Sequence, residues 1–380
     1  MTPQRRGTPD FLLLFLTFSL VCFGLAFVFS ASMAFKPSSP WYLAIRQSLA
    51  IALGTVAMFF CMNVDYRKFQ KWVAPFLIFV VGLLFLVPLI GAESKGAKSW
   101  INIGSFSLQP TEFAKLAVII YLAAIISKKG EKFREFKRGL LPPLFVVGFV
   151  CALIMLQPDF GSTMILAMVA ALVIIVGGAN LKHIFLLAAG GGSVGALGIA
   201  IWLLKTGGDN YRVGRFSAFL DPWADPTGSG MQLIQSLYAF GHGGLTGAGF
   251  GQSIQKLHYL PEAHNDFIFS IIGEELGFIG TSLFLLLYLA FLWRGLIVAL
   301  RCQDTFGTLT GVGIVGMIGV QALINIGGVT NSIPLTGVTL PLISYGGSSI
   351  LVTLISLGVL LSISREQNKP EKEKDTKKRA

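Results

Sequence analysis

The chain has 380 residues, 53% of them apolar and only 13% charged, and carries a formal net charge of +11. Soluble domains carry roughly 25% charged residues, so this composition cannot clothe a water-facing surface, and a soluble enzyme is excluded. Disorder is excluded too, because 31 Phe among abundant Leu and Ile give far more apolar surface than a disordered chain carries.

A membrane-spanning helix needs roughly 20 mostly apolar residues, about 17 at the short end. Ten stretches fit: approximately 11–35, 42–63, 73–92, 110–127, 141–156, 160–177, 183–204, 267–293, 307–330 and 342–363. The expected fold is therefore an all-α, polytopic membrane protein of ten transmembrane helices, with one membrane domain over 1–365. The first stretch follows Arg5 and Arg6, as in a signal peptide, but its apolar run is about twice the usual core of such a peptide. A retained helix is expected. The fifth begins on Pro142 and Pro143, and only the turn at Gln157, Pro158 and Asp159 parts it from the sixth. A re-entrant hairpin there would remove two spans and leave every other orientation unchanged.

Basic residues mark the cytoplasmic side of a membrane protein. With the N-terminus inside, the inner segments sum to +12 and the outer ones to zero. Both termini are therefore expected in the cytoplasm, beside membrane lipids. The excess charge is a topological signal rather than a nucleic-acid footprint. The tail, 366–380, alternates signs without apolar periodicity and is expected to be disordered. Cys22, Cys61, Cys151 and Cys302 show no metal or disulfide spacing and are read as inert thiols.

Polar residues inside apolar stretches stand out, since charge at membrane depth is costly unless paired or wet. Glu112 and Lys115 sit three residues apart near the start of the fourth stretch, on one helix face, where an ion pair and a functional site are equal readings. Glu274 and Glu275 lie about two turns inside the eighth, where at least one must face protein or water.

The longest loop, 205–265, is expected outside. It is rich in aromatic residues, and its segment Gly230–Phe240 reads as a short amphipathic helix. Gly241–Gly251 holds six glycines, but without the strand and helix of a phosphate loop it reads as turns that allow close backbone approach. His242, His258 and His264 match no zinc spacing. Asp221 and Asp225 each precede proline, a turn signal. Arg212, Arg215 and Lys256 are candidate anion binders, with headgroup or solvent contact as the plainer reading. Glu262 and Asp266 lie where this loop enters the eighth stretch. From position alone Asp266 is a helix N-cap or a general base.

Six ordered motifs then carry a resemblance: Ser99–Gly104 (SWINIG), Gln109–Lys115 (QPTEFAK), Gln157–Gly161 (QPDFG), Asp221–Pro226 (DPWADP), Leu260–Asp266 (LPEAHND) and Pro341–Ser349 (PLISYGGSS). Together they resemble the SEDS family (shape, elongation, division and sporulation proteins) over nearly the whole chain. Thr339–Ser344 (TLPLIS) and Gln255–Pro261 (QKLHYLP) lean toward its division and sporulation branch. The resemblance implies a ten-helix peptidoglycan glycosyltransferase that polymerises lipid II on the outer face of the cytoplasmic membrane. It maps the family's essential aspartate onto Asp266 and its fourth-span acid and lysine onto Glu112 and Lys115.

On that reading Asp266 is the expected general base, while Glu112 and Lys115 organise the adjoining cavity. Lys115, Arg212, Arg215, Lys256 or a bound divalent cation (Mg or Mn) would meet the leaving pyrophosphate, with Trp100 and Glu262 as further substrate contacts. The implied partners are a class B penicillin-binding transpeptidase and divisome activators. Two rival functions stay open: a transporter that flips lipid II, and a scaffold for the division machinery.

Overall fold

The computed structural model describes residues 7–33, 41–94, 97–103, 106–180, 182–183 and 211–367. Among them, eleven α-helices form the bulk of the fold: α1 Phe11–Ser32, α2 Trp41–Asn63, α3 Tyr66–Ile90, α4 Pro110–Lys129, α5 Leu141–Met155, α6 Phe160–Val176, α7 Tyr211–Leu220, α8 Met231–Gly243, α9 Ile268–Leu300, α10 Thr305–Val329 and α11 Gly347–Gln367. Eight helical segments are long and apolar enough to cross a membrane. They match the first five and last three expected stretches, and the fifth gains a π-helical turn that starts it at Phe136. The sixth, α6, has 17 residues and is shorter than the others. The seventh, 183–204, lies outside the described residues apart from His183, as does the tail from 368.

Aspartates start four of these helices. Asp10 accepts from Leu13 N, Asp65 from Arg67 N, Asp159 from Ser162 N and Asp304 from Gly307 N. Each side chain satisfies an amide that the first helical turn leaves without a partner. The enclosed helices are α4 and α11, each with 78% of its apolar window buried, against 22% for α3. Large apolar side chains of α3 such as Ile78, Phe79 and Leu89 point outward. In water such exposure would be costly; against lipid tails it is not.

The hydrogen bonds sort the chain into two ends. At one end Arg294 pairs with Asp10 at 2.6 Å, Asp10 N donates to Ser364 Oγ, Arg365 Nε to Gly7 O, and Arg67 meets Glu366. The start of α1 and the end of α11 therefore sit together, among the basic loops. At the other end a small antiparallel sheet, β1 Ala92–Ser94, β2 Ala97–Ile103 and β3 Phe106–Leu108, stands where the hydropathy pattern shows only a loop. Ser99 Oγ on β2 donates to Gln157 O, and Gln109 N donates to Ser348 Oγ. These bonds tie SWINIG to QPDFG, and QPTEFAK to the start of α11.

Helix α9 is the least regular of the long helices. At Gly277 its backbone turns to φ 64°, ψ −170°, and the glycine-rich segment lies along the break. Ala248 N donates to Glu274 O, Gly249 N to Glu275 O and Phe278 N to Gly244 O, so loop amides and carbonyls replace the missing helical partners. A Cβ on Gly277 would lie 2.2 Å from Gly247 N. Gly277→Ala is expected to destabilise the protein by about 1–3 kcal/mol through backbone strain alone, with the clash adding to that. Thermal unfolding of the purified protein in detergent checks it; an unchanged midpoint would mean the break is not built into the fold.

Candidate active site

Asp266 lies at the mouth of α9 and is 7% exposed. It is not the helix cap that position suggests: the N-cap of α9 is Phe267, with no side-chain cap bond. The loop before it is held by its own contacts. Asn265 N donates to Glu262 O, and the Asn265 amide to the Glu262 carboxylate. Tyr345 N donates to His264 O at 2.9 Å, which joins the LPEAHND motif to PLISYGGSS.

Three further elements converge on Asp266. From α10, Asn325 Nδ2 donates to Asp266 O and to Val338 O, both at 2.7 Å. From the segment between α10 and α11 comes Gly337, at φ +73°. A Cβ there would stand 3.5 Å from Asp266 Oδ2 and 3.4 Å from Arg215 Nη2. From α7 comes Arg215, whose Nη1 donates to Leu335 O at 3.4 Å. The carboxylate and the guanidinium thus both lie beside the same bare glycine. A side chain at 337 would strain the backbone and touch both groups.

One turn before Asn325 on α10, Gln321 connects a second charged group. Lys115 is fully buried and donates to Glu112 Oε1 at 2.8 Å and to Gln321 Oε1 at 2.7 Å. Gln321 Nε2 donates to Thr339 O at 3.1 Å. The sequence-expected pair Glu112 and Lys115 does form, and it reaches the segment at Gly337 through Gln321.

The other candidates are placed differently. Lys256 is buried, its Nζ 2.9 Å from Glu275 Oε1 and 3.0 Å from Ser30 Oγ, so its charge is already neutralised, unlike a cation waiting for an anion. Glu274 accepts from Ser253 Oγ and from the amides of Ile254 and Gln255, and pairs with His242 at 2.9 Å. These two glutamates anchor the loop before α9 to that helix. Trp100 is half-buried on β2, opposite Ala92. The side chain of Arg212 lies outside the described residues. Asp221 caps Trp223 N. Asp225 accepts from the amides of Gly228 and Ser229, and chiefly the Ser229 amide holds its carboxyl below the ordinary carboxylate range. Both aspartates make turns.

Among the described residues, no three His, Cys, Asp or Glu side chains are grouped to cage a metal ion. Sequence reasoning missed Gln321, Asn325 and Gly337. Gln321 and Asn325 are polar residues four apart within an apolar stretch, a signal of the same kind that marked Glu112 and Lys115, but they carry no charge.

Residues 11–369 match the FtsW/RodA/SpoVE family model, described as cell cycle protein. Stage V sporulation protein E of Bacillus subtilis is 44% identical, the alignment covering 95% of this chain and 98% of that one. The probable peptidoglycan glycosyltransferase FtsW of Geobacter metallireducens is 41% identical, over 93% and 94%. Among solved structures, a chain from a peptidoglycan synthase complex that coordinates polymerization and crosslinking superposes with a TM-score of 0.75 at 31% identity, covering 95% of this chain and 99% of its own. The rod shape determining protein RodA of Thermus thermophilus does so at 0.69 and 30%, covering 95% and 98%.

Proposed function

The chain belongs to the FtsW, RodA and SpoVE family of cell cycle proteins, and on that premise we propose that it is a multi-pass membrane peptidoglycan glycosyltransferase. It polymerises lipid II at the outer face of the cytoplasmic membrane during division or sporulation. The observation that carries the reaction is the approach of both Asp266 and Arg215 to Gly337.

Chain growth joins a sugar hydroxyl to an anomeric carbon while the bond from that carbon to the lipid pyrophosphate breaks. The hydroxyl proton goes to Asp266, and the bonding electrons leave with the pyrophosphate. A charged carboxylate is the form that accepts a proton. Arg215 offers planar paired donors to the departing phosphate oxygens. Such fixed donors act on charge as it develops, with little reorganisation. Glu112, Lys115 and Gln321 brace the inner wall. Lys115 already has two acceptors, which suits a brace better than a phosphate ligand.

A divalent cation such as Mg²⁺ or Mn²⁺ fits this site only as a companion of the substrate. Such ions are commonly held by one or two carboxylates together with substrate phosphates, and Asp266 is the carboxylate placed to take part. The ion would supply charge neutralisation for the leaving group. Relatives seen in a polymerising and crosslinking complex support a class B penicillin-binding transpeptidase as partner. Divisome activators are proposed as well, since the matching family model is described as cell cycle protein.

Purified protein with lipid II in detergent, where no second compartment exists, tests the reading. Glycan polymer supports the transferase, whereas no polymer with an active partner supplied would leave the flippase or scaffold standing. In the same assay Arg215→Ala is expected to lower the turnover rate by about 10²-fold. Arg215→Lys should recover only part of the loss, because a lysine cannot reproduce the planar fork.

A further inference from the structure

The proposed chemistry needs the Asp266 carboxylate to be aimed, yet no regular backbone pairing aims it. The residue sits in a turn outside α9, whose N-cap is Phe267. That turn is tied to a side chain 59 residues away: Asn325 is 4% exposed and donates from one amide nitrogen to both Asp266 O and Val338 O. Two carbonyls bonded to one nitrogen fix the spacing between the Asp266 turn and the segment that carries Gly337. One helical turn away, Gln321 makes the second rung, from Lys115 to Thr339. Residues four apart lie on one face of a helix, so α10 presents two amides to the same segment, 338–339.

We propose that Asn325 is the positioning residue that sets the Asp266 carboxylate opposite Arg215, and that Gln321 links the same segment to the buried Glu112–Lys115 pair. This role rests on the glycosyltransferase reading. Asn325 touches the backbone of Asp266, not its carboxylate, and so acts through geometry rather than by exchanging protons. Removing it leaves two carbonyls without that donor, the one at Asp266 buried, which favours a shifted turn. A general base displaced by even about 1 Å loses rate steeply.

The test is steady-state polymerisation of lipid II by the full chain with Asn325→Leu, close in size but without donors, and with Asn325→Ser, which keeps one. Asn325→Leu is expected to turn over about 10- to 100-fold more slowly, with the KM for lipid II changed less than about threefold. Asn325→Ser should fall between the two, and it decides the matter if the leucine variant does not fold. A folded variant that turns over within about threefold of the unaltered protein would overturn the role. So would a rate that falls only in proportion to folded protein. If the unaltered protein itself makes no polymer, the glycosyltransferase reading falls and takes this role with it. Polymer from the unaltered protein beside a neutral Asn325 variant overturns the positioning role alone.

Discussion

Asp266→Asn is expected to stop glycan polymerisation, lowering the rate by about 10²–10⁴-fold, the usual contribution of a positioned general base. The amide keeps the size and shape of the carboxylate but has no lone pair basic enough to take a hydroxyl proton. The bond that ties this turn to α10 uses the backbone carbonyl of residue 266, so the variant should fold and purify like the unaltered protein. Labelled lipid II, resolved by gel after a fixed time, reads the outcome. Normal polymer from Asp266→Asn would remove the base and leave family membership untouched. A variant that makes no polymer yet supports growth would favour the scaffold instead.

The second large effect concerns stability. Lys256→Met should cost about 3–5 kcal/mol, because removing one partner of a buried ion pair strands the other charge. That charge is Glu275, with its side chain fully enclosed and Lys256 Nζ 2.9 Å away. The double variant Lys256→Met, Glu275→Gln should recover much of the loss, since no net charge is then left inside. Thermal unfolding in detergent separates the two. Equal midpoints for the single variant and the unaltered protein would mean that water reaches Glu275 and the pair is not closed.

The site was only partly legible in the sequence. Asp266, Glu112 and Lys115 could be singled out because charge near or within an apolar stretch is costly and therefore conspicuous. Arg215 and Lys256 look alike there, as two cations of one long loop. The fold separates them: Arg215 reaches the Asp266 turn, and Lys256 is buried against Ser30 on α1 and Glu275 on α9. Neither contact has a sequence pattern, because each joins residues brought together only by packing. The break in α9 is hidden for a related reason. Its apolar pattern runs on through Gly277, and only the docked glycine-rich segment supplies the hydrogen bonds that the break removes. The sheet over Ala92–Leu108 escapes notice because its strands are short and do not alternate cleanly.

What the amino-acid order determined by itself was the solvent of the fold and its broad layout. Burial in lipid is summed residue by residue along a local window, so hydropathy shows it directly. Helix starts at Asp10, Asp65, Asp159 and Asp304 are local too, since a cap bonds within its own first turn. The tertiary structure alone decided which polar groups meet. Arg215 and Leu335 are 120 residues apart, Asp266 and Asn325 are 59 apart, and Lys115 and Gln321 are 206 apart. In an enclosed interior each polar group must find a partner. Which partner it finds depends on how whole helices pack, and no window along the chain contains that.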